Sequence, residues 1–139
     1  MGAELKILDQ IPQDIKTSEV LRLVHSKKVN SIYLKVLKDI ADFSDDVIAG
    51  WLNMNVRTYR NYKKAPATIR ADIQEHTLLL LSLMKHGIEV FGTKEAFSQW
   101  LSTQNFHLGQ QSPVSFLNTI SGIKFVDDRL TAMEYGDNV

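Results

Sequence analysis

The chain has 139 residues, of which 44% are hydrophobic and 23% charged, values typical of one compact globular domain or two very small ones. It contains 0 cysteines, which excludes disulfides, Cys-ligated zinc and thiol nucleophiles, and its 16 basic and 16 acidic residues argue against a uniformly basic nucleic-acid coat. No apolar run approaches the ~20 residues of a membrane-spanning helix, and no signal sequence is evident. We therefore expect a cytoplasmic protein with no membrane partner.

Charge is distributed unevenly along the chain. Residues 1–72 carry 12 basic and 9 acidic side chains, whereas residues 73–139 carry 4 basic and 7 acidic ones. This asymmetry indicates two parts with different partners. The low content of proline and glycine, 3 and 7 residues, favours an all-α architecture.

The predicted elements begin with an amino-terminal arm over residues 1–16. A short helix is predicted from about residue 17, and a second one over residues 31–41, where apolar residues recur at helical spacing. Ser44 is predicted to cap the following helix, which carries apolar residues as far as Leu52.

Residues 44–64 predict two short helices joined by a turn of about four residues, which is the pattern of a helix-turn-helix. The second helix is strongly basic, and we predict that it binds DNA through Arg57, Thr58, Arg60, Asn61, Lys63 and Lys64. Arginine and asparagine can contact base edges in the major groove, while lysine contacts phosphates. The alternative is an ordinary helical hairpin with a solvated basic face.

This arrangement resembles the helix-turn-helix of Xre-like regulators, in which a stretch such as residues 48–59 links the two helices. Gly50 departs from that pattern, and we expect it to allow close packing. Tyr59 is expected to lie in the core against Trp51.

A long helix is predicted over residues 69–91, ending at Gly92, and it is apolar on all sides between residues 78 and 84. A chain this small is not expected to cover such a segment alone, so the segment predicts a homodimer. Three further helices are predicted, beginning at the caps Thr93, Ser112 and Thr119.

Short motifs follow one another in a fixed order near the end of the chain, at residues 90–92, 96–101, 106–109, 113, 116–119, 122 and 134–136. Together they resemble the toxin-binding domain of Xre/MbcA/ParS-type antitoxins over about residues 88–136. The resemblance implies a type II antitoxin that neutralises a RES-domain toxin, an NAD-consuming enzyme, and represses its own operon by binding promoter DNA.

The resemblance also implies a division of the chain into a DNA-binding domain over residues 17–68 and a long connecting helix plus toxin-binding domain over residues 69–139. The toxin-binding residues that we infer from it are Trp100, Phe106, Leu108, Gly109, Pro113, Glu134, Tyr135, Gly136, Asp137 and Val139. Trp100 is also expected in the core. The segment from Glu134 onward is expected to project beyond the packed part and to place carboxylates in the toxin's NAD cleft.

We predict no catalytic residue, metal site or cofactor. The four histidines do not have metal-ligand spacing, and the carboxylates of Asp127, Asp128 and Glu134 are expected on a solvated face. Two alternatives to the antitoxin stay open. One is a stand-alone helix-turn-helix repressor whose carboxy-terminal half serves dimerisation or senses a ligand, and the other, much weaker, is a small enzyme.

Overall fold

The computed structural model describes residues 2–64 and 66–136. These residues form no strand, which confirms the all-α prediction. Eight α-helices lie within them: α1 (Gly2–Gln10), α2 (Thr17–His25), α3 (Ile32–Ile40), α4 (Asp45–Trp51), α5 (Val56–Lys64), α6 (Ala71–Phe91), α7 (Lys94–Leu101) and α8 (Ile120–Glu134). Two short 3-10 helices, Phe106–Leu108 and Pro113–Phe116, connect α7 to α8.

Helix α6 is the centre of the fold, because it packs against α2 and α3 as well as against α7 and α8. Leu78, Leu80 and Leu81 are fully buried, and Leu83 and Met84 are only 1% exposed. One copy of the chain thus covers the apolar segment between residues 78 and 84. The expectation that this segment needs a second copy is wrong, since neighbouring helices surround it.

The arm expected over residues 1–16 contains α1 and is tied to α6 by polar contacts. Lys85 Nζ donates to the carbonyl oxygen of Ile11 at 2.7 Å, and Ser82 Oγ donates to that of Pro12 at 2.7 Å. Ile11 is itself buried. This segment therefore belongs to the packed fold.

Capping hydroxyls define the start of three helices, as predicted, whereas the predicted cap Ser112 makes no side-chain capping bond and precedes a 3-10 helix. A hydroxyl oxygen accepts the backbone N–H three residues later, at 3.4, 3.1 and 2.9 Å, in Ser44, Thr93 and Thr119. Gly92 ends α6 as expected. Helix α6 begins at Ala71, later than the predicted residue 69. Thr68, which precedes the helix, pairs with Asn30 in an isolated β-bridge.

Two glycines permit close approaches in the carboxy-terminal half. A Cβ atom on Gly122 would lie 1.8 Å from the backbone oxygen of Phe116, and one on Gly87 would lie 2.2 Å from the ring of Phe97. Both positions therefore require glycine for the observed packing. At Gly50 a Cβ would meet nothing within 4 Å, so the expectation of close packing there is wrong.

Candidate functional site

Helices α4 and α5 pack against each other across the turn at residues 52–55. Tyr59 of α5 is completely buried, which confirms its place in the core. The ring that lies edge-on to Trp51 is that of Phe43, at 5.2 Å between centroids. The side chain of Asn55 accepts the N–H of Thr58 at 2.8 Å and so caps α5.

One of the basic residues of α5 is engaged inside the molecule. Lys63 Nζ lies 2.8 Å from Oδ1 of Asp45, the first residue of α4, and the lysine side chain is only 17% exposed. Arg60 Nε contacts the other oxygen of Asp45 at 3.0 Å, and Lys38 approaches at 3.5 Å. Hydrogen bonds from Lys63 and Arg60 lower the pKa of Asp45 to about 2. Lys63 thus joins α5 to α4.

The other predicted DNA-binding residues lie on the exposed surface of α5. In a regular helix, positions spaced by three, four and seven residues share one face. The residues with this spacing, all exposed, are Arg57, Arg60, Asn61 and Lys64, and Thr58 is exposed beside them. The structure therefore places five of the six predicted residues at the surface of one short helix.

The predicted toxin-binding residues differ in burial. Trp100, Leu108 and Pro113 are buried and shape the domain. The ring of Trp100 lies 5.5 Å from that of Phe91 and 6.0 Å from that of Phe97, as expected for a core aromatic residue. These three side chains therefore stabilise the domain and contribute little area to its exposed surface.

Two predicted residues are prominent on the surface. Phe106 is 77% exposed and Tyr135 is 86% exposed, values unusual for large aromatic side chains. Gly109 follows the first 3-10 helix in a left-handed conformation, with φ of 66°. Gly136 is exposed as well. Two further predicted residues lie outside the described residues, Asp137 and Val139.

Sequence reasoning missed Phe125, which is 45% exposed on α8. A groove of about 270 Å³ lies between this part of α8 and the first 3-10 helix, and it is lined by His107, Leu108, Phe125, Asp128, Arg129 and Ala132. Phe125 also contacts the ring of Phe116 edge-on at 5.2 Å. The sequence contained a signal for this residue, because Phe125 is an aromatic residue that lies outside the apolar face of the amphipathic helix α8.

Glu134 does not project freely, contrary to expectation. Its carboxylate contacts Nε2 of His86, a residue of α6 whose side chain is only 6% exposed. The Nδ1 atom of the same ring lies 2.6 Å from Oδ1 of Asp127. Burial alone would lower the pKa of His86, but hydrogen bonds to Asp127 and Glu134 and their charges outweigh it and raise this pKa. Glu134 therefore helps to hold the end of α8 against α6.

The geometry defines a small helical domain with exposed aromatic residues, which is typical of a protein-binding module. Residues 86–136 match the family model of the antitoxin Xre/MbcA/ParS C-terminal toxin-binding domain. The carboxy-terminal part of the chain thus matches the toxin-binding domain of this antitoxin family, which confirms the resemblance over these residues. A toxin-binding domain implies a toxin as partner and indicates a regulatory protein. No curated protein matches the chain.

Within residues 2–64 and 66–136, no group of three or more histidine or carboxylate side chains is arranged to hold a metal ion. In the same part of the chain, no helix combines the length and apolarity needed to cross a membrane.

Proposed function

We propose that the protein is a type II antitoxin which neutralises an NAD-consuming RES-domain toxin and represses its own operon in the cytoplasm by binding promoter DNA. The observation that carries this proposal is the match of residues 86–136 to the toxin-binding domain. Two separate surfaces serve the two partners. The groove between α8 and the first 3-10 helix contacts the toxin, and the exposed face of α5 contacts DNA.

The proposed toxin surface consists of the groove that His107 and Phe125 help to line, together with Phe106, whose ring meets that of His107 edge-on at 5.8 Å. Large exposed aromatic side chains are characteristic anchors of protein interfaces, because they bury much apolar area at low entropic cost. Both phenylalanines lie inside the matched toxin-binding domain, which supports the toxin as the occupant of this surface. The buried residue Leu108 lines the same groove.

The test is co-expression of the toxin with Phe125→Ser or Phe106→Ser chains, followed by pull-down and a measurement of NAD consumption. We expect toxin affinity to fall about tenfold or more, since each change removes an aromatic anchor. Leu21→Ser is the matched control, because Leu21 is 51% exposed on α2, outside the matched domain. Equal losses in all three variants would contradict the assigned surface, and persistent toxin activity with the unchanged antitoxin would contradict the antitoxin function.

The end of the chain is proposed to enter the toxin's NAD site. An enzyme that binds NAD must hold a diphosphate with cationic or N–H donors, which would also accept carboxylates such as that of Asp137. The exposure of Tyr135, which leads into this segment, supports the proposal. A chain shortened to end at Glu134 keeps the contact with His86. If it suppresses NAD consumption as well as the full chain, neutralisation arises from the groove surface instead.

The proposed DNA surface is the face of α5 that carries Arg57 and Asn61. Both side chains are exposed and suited to base edges in the major groove. The double variant Arg57→Ala, Asn61→Ala should lose specific promoter binding while retaining its helical content. Lys94→Ala on α7 is the matched control, since it removes an exposed cation far along the chain from α5. Undiminished promoter protection by the double variant would exclude α5 as the recognition helix.

The homodimer is retained as a proposal on symmetry grounds alone. Helix-turn-helix proteins commonly bind two half-sites about one helical turn apart, with one recognition helix for each site. Light scattering of the isolated protein should give twice the mass of 15.8 kDa calculated for one chain. A monomer mass at roughly tens of micromolar would contradict the proposal.

A further inference from the structure

The contact between His86 and two carboxylates of α8 has an unusual geometry. Asp127 and Glu134 are seven residues apart, so they lie two turns from each other on the same side of the helix. Each carboxylate faces a different nitrogen of one buried imidazole ring. A single side chain of α6 thereby holds both the middle and the last residue of α8.

With both carboxylates ionised, this geometry is complete only when the ring is charged. A neutral imidazole has one N–H and can donate to one carboxylate, whereas an imidazolium has two and can donate to both. In the neutral form, one ring nitrogen would direct its lone pair at a carboxylate oxygen. The arrangement therefore couples the position of Glu134 to a proton on His86.

The charged groups around this cluster are predominantly acidic. The negative charges of Asp14 and Asp128 repel that of Asp127. These three carboxylates and Lys124 line a cavity of about 280 Å³ beside the cluster. On α6 itself, the neighbouring Lys85 is engaged with the backbone before α2.

Helix α7 packs against α6 at Gly87 through the uncharged ring of Phe97. The acidic surroundings favour the imidazolium, in agreement with the raised pKa of His86. The contact to Glu134 is the more exposed of the two, because the side chain of Glu134 is 40% accessible against 26% for Asp127. Loss of the proton therefore weakens the end of α8 first.

We propose that His86 is a positioning residue whose protonated ring fixes the last turn of α8, and with it the direction in which Tyr135 and Gly136 approach the toxin. This rests on the proposed antitoxin function. The proton on His86 restricts the motion of Tyr135 and Gly136. Toxin affinity therefore falls as the pH rises and His86 loses this proton.

The direct test uses the antitoxin alone. NMR titration of the His86 ring should show a charged ring at about pH 6, and the backbone order parameters of Tyr135 and Gly136 should fall as that ring loses its proton. Glu134→Gln should lower these order parameters already at the acidic end, and Asp128→Asn is the matched control that removes a nearby charge without a bond to His86. A neutral His86 ring near pH 6, or order parameters independent of its titration, would overturn the proposal.

The functional test measures toxin affinity from about pH 5.5 to 9 with the full chain. We expect binding to weaken roughly three- to tenfold across the His86 titration, as for loss of one charge-assisted hydrogen bond. The Glu134→Gln chain should bind more weakly throughout and lack this step. A titration in the toxin itself would appear with both chains, so identical profiles would overturn the positioning role. Absence of any toxin binding would instead contradict the proposed function and leave the NMR result to decide on His86.

Discussion

The basic helix α5 and the last helix α8 meet their surroundings in different ways. The surface of α5 exposes cations, and its position depends on the ion pairs between Lys63, Arg60 and Asp45. The surface beside α8 exposes aromatic rings, and its position depends on close backbone contacts at Gly122 and on the buried ring of His86. Phosphates require charge at approximately the right place, whereas a protein partner requires a surface of defined shape.

The largest effect that would sharpen this comparison is expected from Gly122→Ala. The added methyl group collides with the backbone oxygen of Phe116, which cannot move without shifting the start of α8. We expect a loss of about 2–4 kcal/mol in the free energy of unfolding, measured by urea denaturation. Gly50→Ala is the control in open space within α4, and it should raise stability by about 0.5–1 kcal/mol. Equal stability of the two variants would contradict the close contact.

A smaller effect is expected from Lys63→Met compared with Lys64→Met. Lys63 bonds to Asp45 and is largely buried, so its replacement should lower stability by about 1 kcal/mol. Lys64 is exposed, and its replacement should change stability by less than about 0.5 kcal/mol while weakening promoter binding. Thermal unfolding and a promoter-binding titration separate the two roles. If Lys63→Met weakened promoter binding and left stability unchanged, Lys63 would contact DNA and the assigned role would be wrong.

Acid should weaken the amino-terminal ion pairs. The pKa of Asp45 is lowered to about 2, so its stabilising contribution is present above about pH 4 and is lost as the pH falls towards 2. Asp45→Asn should be less stable at neutral pH and should show a shallower decline in this acidic range. The midpoints of urea unfolding between about pH 2 and 5 test this. Parallel curves for both proteins would contradict the role of Asp45.

The smallest effects are expected from two histidines of α6 that respond to pH in opposite directions. His76 Nε2 lies 2.9 Å from the carbonyl oxygen of Leu117, and burial lowers the pKa of this ring. Its contribution to stability is therefore lost as the pH falls below about 6.5. The pKa of His86 is raised, so its contribution is lost as the pH rises through that pKa.

The variants His76→Gln and His86→Gln should reveal opposite pH dependences of the free energy of unfolding. Each substitution should change this free energy by less than about 1 kcal/mol. His76→Gln should flatten the acidic side of the stability curve, and His86→Gln the basic side. Urea midpoints measured at intervals of half a pH unit resolve the two. Slopes of the same sign would contradict the different environments of the two rings.

The helices and their caps could be predicted from sequence because they depend on local patterns. Ser44, Thr93 and Thr119 cap helices as short polar side chains commonly do. Tyr59 lies on the apolar side of α5 and is buried in the core. The order of motifs in the last third of the chain was sufficient to indicate the toxin-binding domain, which the match to residues 86–136 confirms.

Contacts between distant residues could not be predicted in this way. His86 and Glu134 are 48 positions apart, and no local pattern indicates that they meet. Lys63 has the same chemistry as Lys64, and only the placement of Asp45 distinguishes the buried cation from the exposed one. The covering of the leucines of α6 likewise depends on how α2, α3, α7 and α8 pack together.

The central position of α6 limits how the protein can be dissected. A fragment from residue 69 onward would contain the whole matched domain, yet it would expose to water the side of α6 that α2 and α3 cover. Bare leucine surface of that kind promotes aggregation. Isolated expression of the toxin-binding domain therefore calls for polar replacements on that side of α6, whereas the intact chain needs none.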